Sequence, residues 1–236
     1  MKILLCGEGP HDVGRESWST KKGAWDAEPG WLQPLVTKLA SDTEANGNVE
    51  FEIRERRELT LLPRISANFK PLPPGHGKKA LAAALMAKSL GAKVVVFMVD
   101  ADSNRSADMD GIRHQIRDGF TVANDASLGS SGVACVPMST SESWLLADAS
   151  AWISACGTHP TLPKNPEMLW GTRDDPDGDH PKHYFRRSAE AVGLPDSPTT
   201  RGDLAAKTDI DVLAASCPNS FAGFATELRA VLDLAS

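Results

Sequence analysis

The feature that most constrains this chain is an apolar run that ends in two carboxylates. Residues 94–99 read Val-Val-Val-Phe-Met-Val, and Asp100 and Asp102 follow, separated by one alanine. An unbroken, mostly β-branched run of this length predicts a strand buried on both faces, as in the centre of a parallel sheet. Sites in open α/β sheets form outside the carboxyl ends of the strands, so both aspartates are candidate site residues.

Two carboxylates held close together favour a bound cation. Alternating side chains on an extended chain point the same way, so Asp100 and Asp102 are expected to converge. Their repulsion would raise a pKa unless a cation lay between them, and hard ions such as Mg²⁺ or Mn²⁺ prefer carboxylate oxygens. The alternative is that both are loop acids at the start of the next helix.

Three further acids are predicted near the same edge of the sheet. Glu8 follows an opening strand at residues 2–6 and lies between two glycines, which permit a sharp turn. Asp12 comes near Glu8 if a helical turn begins at Pro10. Glu142 follows a strand at residues 132–137; its alternative role is an early-helix acid in a serine capping arrangement. The predicted metal ligands are therefore Glu8, Asp12, Asp100, Asp102 and Glu142.

Basic residues are predicted to contact substrate phosphates from two places. Lys78 and Lys79 follow Gly75 at the start of an alanine-rich helix, where backbone N–H groups suit a phosphate, although the Walker A pattern is absent. Lys182 and Arg186 lie in the tail and could reach toward a substrate. The alternative for the tail is a helical cap over the sheet edge.

The order of predicted elements indicates one α/β domain with a helical extension. Strands and helices alternate through residues 1–154, which favours a mostly parallel sheet flanked by helices. Residues 155–236 are predicted to form a small C-terminal helical extension packed on that domain. A content of 41% hydrophobic and 24% charged residues is typical of an ordinary globular protein.

Composition also bears on the compartment and on the partners. The four cysteines lack Cys-x-x-Cys spacing, which argues against zinc and for a reducing cytoplasm. The opening strand is too short for a signal peptide, and no apolar run is long enough to span a membrane. The net charge of −6 disfavours nonspecific coating of nucleic acid but is compatible with an acidic nuclease site.

As a set, these residues resemble the signature of the Toprim fold. Glu8-Gly9-Pro10-His11-Asp12 after one strand and Asp100-Ala101-Asp102 after a later one are similar to the metal-binding fold of topoisomerases, primases and the nucleases of the overcoming-lysogenization-defect class. Residues 137–148, with Ser-Glu-x-Trp-Leu-Leu-Ala-Asp, resemble a bacterial Toprim-like family of unknown function whose members often lie near defence-type ATPases. Three tail segments also fit that family, at residues 181–185, 209–211 and 217–221.

The resemblance implies phosphodiester hydrolysis on DNA or RNA that depends on Mg²⁺ or Mn²⁺, within a bacterial defence system. Glu8, Asp100, Asp102 and Lys182 would then be the catalytic residues. The single tyrosine lies in the tail and no zinc module is present, so topoisomerase and primase activities are not expected. Nucleic acid is the expected partner; a partner ATPase and a second copy of this chain stay open.

Two rival functions remain. One is a catalytically silent Toprim-like module that binds a partner ATPase. The other is a nucleotide-sugar transferase or a phosphatase of the haloacid-dehalogenase type, since both carry an apolar strand that ends in Asp-x-Asp. Such a phosphatase usually has that motif on its first strand, and neither scheme gives Glu8-Gly9-Pro10 a role.

Overall fold

The structure is a computed structural model of the chain. It describes residues 1–19, 24–61, 68–69 and 71–236; for residues 15–19 and 24–27 it describes the backbone. The run Leu59-Thr60-Leu61-Leu62 predicts a short strand. That strand is not formed at residues 59–61, and Leu62 lies outside the described residues.

A parallel sheet forms the centre of the molecule. The strands are β1 (Lys2–Gly7), β2 (Arg15–Ser19), β3 (Ala24–Glu28), β4 (Glu50–Glu55), β5 (Val94–Met98) and β6 (Ser131–Cys135). In the described residues four of them make an all-parallel sheet in the order β4-β1-β5-β6, while β2 and β3 pair as an antiparallel hairpin. The predicted α/β class, with a parallel sheet flanked by helices and a C-terminal helical part, is confirmed.

Helices connect the strands and continue to the C-terminus. They are α1 (Pro10–Val13), α2 (Leu32–Ser41), α3 (His76–Leu90), α4 (Ser106–Asp125), α5 (Glu142–Leu145), α6 (Ala149–Cys156), α7 (Pro181–Ala191), α8 (Pro198–Lys207), α9 (Ile210–Ser216) and α10 (Phe221–Ala235), with 3₁₀ turns at Arg56–Glu58 and Pro166–Met168. None of the described helices combines the length and apolar character that a membrane crossing needs.

The alternation of side chains along the strands builds two separate cores. Ile3 and Leu5 of β1, with Val94 and Val96 of β5, pack with α2 and the C-terminal helices on one face. Leu4 and Cys6, with Val95 and Phe97, pack against α3 and α4 on the other. Both faces of the central strands are therefore buried, as the apolar run at residues 94–99 predicts.

The sheet contains a topological switch point beside β1. The chain passes from β1 to β4 on one side and later returns to β5 on the other side of β1. Ligands of open α/β sheets bind in the crevice at the carboxyl ends of the strands where the order reverses. Glu8 follows β1 and Asp100 lies two residues beyond β5, so both stand at this crevice.

The C-terminal helices share the core of the sheet. Phe185 of α7, Leu204 of α8 and Phe224 of α10 are buried in the same cluster as Leu5 and Val96. The division at residues 154 and 155 stays a prediction, and α6 spans that position.

Two elements differ from the sequence-based expectation. Residues 15–30, whose polar sequence with Trp18 and Trp25 predicts an excursion beside the site, contain the β2–β3 hairpin. Residues 198–207, for which no helix was predicted, form α8. The sequence gives no hairpin signal here, because the two short strands lack a regular apolar–polar alternation and no Asn-Gly or Asp-Gly pair joins them.

We expect Trp144→Ala to be strongly destabilising because this indole joins α5 to α10. It is buried, stacks on Phe224 at 5.8 Å between ring centroids, and donates a 2.8 Å hydrogen bond to Ser220 Oγ. Loss of a buried aromatic should lower the free energy of unfolding by about 3–5 kcal/mol in urea denaturation. The control Trp170→Ala, at a half-exposed ring, should change it by less than about 0.5 kcal/mol. Equal losses would contradict this packing role.

Candidate functional site

A polar cavity of about 320 Å³ opens at the switch point. It is called the site cavity here, and its lining is Glu8, Gly9, His11, Asp12, Asp100, Ser141, Glu142, Lys182 and Arg201. Five of the residues predicted from sequence meet in it: Glu8, Asp12, Asp100, Glu142 and Lys182. They come from three strand ends and from α7, so the parallel sheet is what gathers them.

Asp12 organises the turn that follows β1. Its Oδ2 accepts hydrogen bonds from the backbone N–H groups of Glu8 at 3.1 Å and Gly9 at 3.2 Å. Its Oδ1 accepts from Trp31 Nε1 at 2.9 Å and from Ser141 Oγ at 3.5 Å. A carboxylate offers about four lone-pair positions, and the four donors use them. Asp12 is thus better placed to fix Glu8 than to bind a metal.

Asp100 is buried at the floor of the cavity. The backbone N–H of Ser141 donates to its Oδ1 at 2.9 Å, and Lys182 Nζ lies 3.6 Å from its Oδ2. Burial, followed by the charges of Glu142 and Asp12, raises the pKa of Asp100 well above its usual value. This carboxyl group therefore carries an electrostatic cost that a nearby cation would relieve.

Glu142 is buried, and only one of its two carboxylate oxygens has a partner among the described residues. Arg201 Nη1 lies 2.7 Å from its Oε1, whereas its Oε2 is buried with no hydrogen-bond partner among the described residues. Burial favours the neutral acid, but the charges of Arg201 and Lys182 outweigh it and lower the pKa of Glu142. Capping by Ser141 is not observed, because the Ser141 side chain makes no cap hydrogen bond. Glu142, a lining residue, thus carries an ionised carboxylate with one oxygen unpartnered in the described residues.

His11 and Lys182 add two nitrogen groups to the lining. Burial, and then the charge of Arg201, lower the pKa of His11, so its imidazole is neutral near pH 7. Its Nδ1 is buried without a hydrogen-bond partner in the described part of the chain. Burial acts against the charge of Lys182, but Glu142 and Asp100 raise its pKa, so its ammonium group stays charged.

Strand register sets the partner of Glu8. Gly7 and Glu55 are the last paired residues of β1 and β4, so Glu8 and Arg56 follow directly at the neighbouring ends of the two strands. Their charged groups pair at 3.0 Å. Burial raises the pKa of Glu8, while Arg56 acts in the opposite direction.

Asp102 does not line the cavity with Asp100. The strand β5 ends at Met98, and Asp102 adopts φ = 48°, in the left-handed region that aspartate tolerates better than most residues. Its half-exposed carboxylate pairs with Arg173, although its charge still raises the pKa of Glu8. The expected convergence relied on an extended backbone through residue 102, which this turn interrupts.

The other predicted phosphate-binding residues lie outside the lining. Lys78 is exposed on α3, and Lys79 donates its ammonium to the carbonyl of Leu59. Arg186 lies within 3.3 Å of His183 Nδ1 on α7. Since α3 precedes β5, it starts at the carboxyl edge of the sheet, so Lys78 lies at the same edge as the cavity but beyond its wall.

Arg201 is the principal site residue that the sequence analysis missed. It lies on α8, pairs with Glu142, and lines the cavity. A helix-start signal was present, because Ser197 caps α8 with its side chain and Pro198 occupies the first helical position. No local pattern links residue 201 to residue 142.

The donor set fits a hard divalent cation. Glu8, Asp100 and Glu142 offer carboxylate oxygens, the ligands that Mg²⁺ and Mn²⁺ prefer, and Oε2 of the lining residue Glu142 has no hydrogen-bond partner in the described part of the chain. In the described residues no three Asp, Glu, His or Cys side chains are already grouped to hold an ion. Metal binding therefore requires Glu8 and Asp100 to turn from Arg56 and Lys182 toward the cavity.

The fold and site define a parallel α/β protein with an acidic cavity, flanked by fixed cations, at its switch point. Comparison with models of known protein families, with curated proteins and with solved structures found no match.

Proposed function

We propose that this protein is a nuclease that hydrolyses phosphodiester bonds of DNA or RNA and depends on Mg²⁺ or Mn²⁺. The observation that carries the proposal is the convergence of Glu8, Asp100, Glu142 and Lys182 on the site cavity, with one buried carboxylate oxygen left unpartnered. The resemblance to Toprim-like nucleases implies Glu8, Asp100, Asp102 and Lys182 as catalytic residues; in the cavity lining Glu142 is present and Asp102 is not.

Each group has a role that follows from its charge. A divalent cation held by Glu8, Asp100 and Glu142 would supply Lewis-acid stabilisation of the negative charge that develops at the phosphorus. Lys182 is charged and lies 3.6 Å from Asp100, so it can donate to a phosphate oxygen at the same place. Neutral His11, a lining residue whose Nδ1 has no hydrogen-bond partner among the described residues, would be the group to accept a proton from an attacking water.

The test is cleavage of end-labelled single- and double-stranded DNA, RNA and tRNA with Mg²⁺, Mn²⁺ or EDTA. We expect cleavage of at least one substrate with a divalent cation and none with EDTA. The variant Glu8→Gln should reduce turnover by about two to four orders of magnitude and leave binding nearly intact, since the metal acts mainly on the transition state.

The matched control is Glu44→Gln, an acid on the surface outside the cavity, which should cleave like the wild type. Cleavage that survives EDTA, or that Glu8→Gln leaves unchanged, would contradict the proposal. A wild-type protein that neither binds nor cuts any of these nucleic acids in Mn²⁺ would favour the second candidate.

The second candidate is a catalytically silent Toprim-like module that binds a partner ATPase. It is favoured by the pairing of four of the five candidate acids with a basic residue, as in Glu8 with Arg56 and Glu142 with Arg201. Such pairs can neutralise an acidic site without a metal. The two candidates differ in Mn²⁺ binding, which the nuclease requires and the silent module does not.

A further inference from the structure

We propose that the site cavity holds one divalent cation, with Glu142 in its ligand set, and that Arg201 supplies the positive charge that a second cation would supply in a two-metal site. This inference rests on the proposed nuclease function and adds the number of metal ions and the role of α8. It follows from which carboxylate oxygens are free and from the charge balance.

Few carboxylate oxygens in the cavity remain free to bind metal. Asp12 already accepts four hydrogen bonds. One oxygen of each of Glu8, Asp100 and Glu142 is taken, by Arg56, the Ser141 N–H and Arg201 respectively. What remains is one oxygen each of Glu8 and Glu142, together with Asp100 Oδ2, which lies 3.6 Å from Lys182 Nζ and becomes a ligand only when Asp100 turns from that lysine. Three carboxylate oxygens completed by water and phosphate suit one octahedral ion, whereas two-metal sites also need bridging carboxylates.

The net charge of the ionised groups near the cavity equals the charge that one divalent cation would neutralise. The carboxylates are those of Glu8, Asp12, Asp100, Glu142 and Asp196. The fixed cations paired with them are Arg56, Lys182 and Arg201. With these groups ionised, two negative charges stay uncompensated among the described residues, which equals the charge of one Mg²⁺ or Mn²⁺. Asp102 and Arg173, which do not line the cavity, neutralise each other.

Arg201 is held too firmly to be displaced by an incoming ion. Its Nε and Nη2 both donate to Asp196, at 2.8 and 3.2 Å, and its guanidinium lies over the Phe185 ring at 5.0 Å. The remaining nitrogen, Nη1, holds Glu142 at 2.7 Å, which leaves Oε2 as that residue's only free oxygen. Bidentate pairing and ring stacking are geometries that a lysine cannot reproduce.

The experiment counts Mn²⁺ bound to the full chain, by the EPR signal of free Mn²⁺ during titration. We expect one Mn²⁺ per wild-type chain. Glu142→Gln should raise the Kd at least tenfold. Arg201→Gln removes the fixed charge and frees Oε1 of Glu142, so it should bind a second Mn²⁺ or bind the first at least tenfold more tightly. Arg201→Lys keeps the charge and should still bind one.

The control Asp42→Asn removes an acid that pairs with Arg229 outside the cavity, and it should match the wild type. Two Mn²⁺ per wild-type chain would overturn this inference and leave the nuclease proposal standing, whereas no binding would overturn both. Unchanged binding in Arg201→Gln would also overturn the inference. If Arg201→Gln does not fold, Glu142→Gln still tests the inference. An unchanged Kd for Mn²⁺ in that variant would exclude Glu142 as a ligand and overturn the inference.

Discussion

Asp100→Asn is expected to abolish both cleavage and the response to divalent cations, and at the same time to stabilise the metal-free protein. Asparagine keeps the oxygen that accepts the Ser141 N–H but loses the negative charge buried beside Glu142 and Asp12. Wild-type protein should gain melting temperature in Mn²⁺, because a ligand of the folded state stabilises it. Asp100→Asn should lose that gain, melt higher than wild type in EDTA at pH 7.5, and reduce turnover by about two to four orders of magnitude.

The raised pKa of Asp100 also predicts how the stability difference between Asp100→Asn and wild type changes with pH. The folded-state pKa of Asp100 is raised, so above the usual value of 3.8 the folded protein binds more protons than the unfolded chain. This group's contribution to stability is therefore greatest at low pH and is lost as the pH rises toward the raised pKa. The difference in melting temperature between Asp100→Asn and wild type should be small near pH 4 and grow toward neutral pH.

Thermal melts in EDTA from pH 4 to 8, repeated with Mn²⁺, measure these effects. Asp42→Asn is the matched control, and its melts should respond to Mn²⁺ as the wild type does. A wild-type response to Mn²⁺ in Asp100→Asn would place the metal elsewhere. A difference between variant and wild type that does not change with pH would mean that the Asp100 carboxyl carries no buried charge.

Lys182→Ala is expected to lower the rate of cleavage, whereas Lys78→Ala is expected to weaken the binding of nucleic acid. Lys182 lines the cavity at 3.6 Å from Asp100, so its loss should reduce turnover by about 10²- to 10³-fold, as for other transition-state donors. Lys78 is exposed beyond the wall of the cavity. Its loss should weaken binding and flatten the salt dependence of affinity, because a phosphate contact releases counterions, while turnover at saturation stays near wild type.

Single-turnover cleavage, measured beside equilibrium binding at several salt concentrations, separates the two lysines. Lys164→Ala removes an exposed lysine from the tail and should match the wild type in both measurements. If Lys182→Ala changes only binding, Lys182 positions the nucleic acid and does not stabilise the transition state. If Lys78→Ala changes neither quantity, the helix start at α3 does not contact the substrate.

The sequence alone predicts the layered α/β class and the placement of most of the acids. The strand at residues 94–98 is recognisable because a strand buried on both faces needs continuous apolar residues. Glu8, Asp100 and Glu142 are recognisable as site candidates because each comes within a few residues of a strand's carboxyl end. These are local patterns, which depend on backbone periodicity and on where the chain leaves the sheet.

Only the tertiary structure decides which charges meet. The order β4-β1-β5-β6 places Arg56 opposite Glu8, and the packing of α8 brings Arg201 to Glu142 across 59 residues of chain. The turn at Asp102 ends the extended backbone, so that this residue does not line the cavity, and α7 brings Lys182 to Asp100. The physical reason is that the energy of an ion pair depends on the distance between the charges in space. A local periodicity of the sequence does not predict which distant segment packs against a strand end.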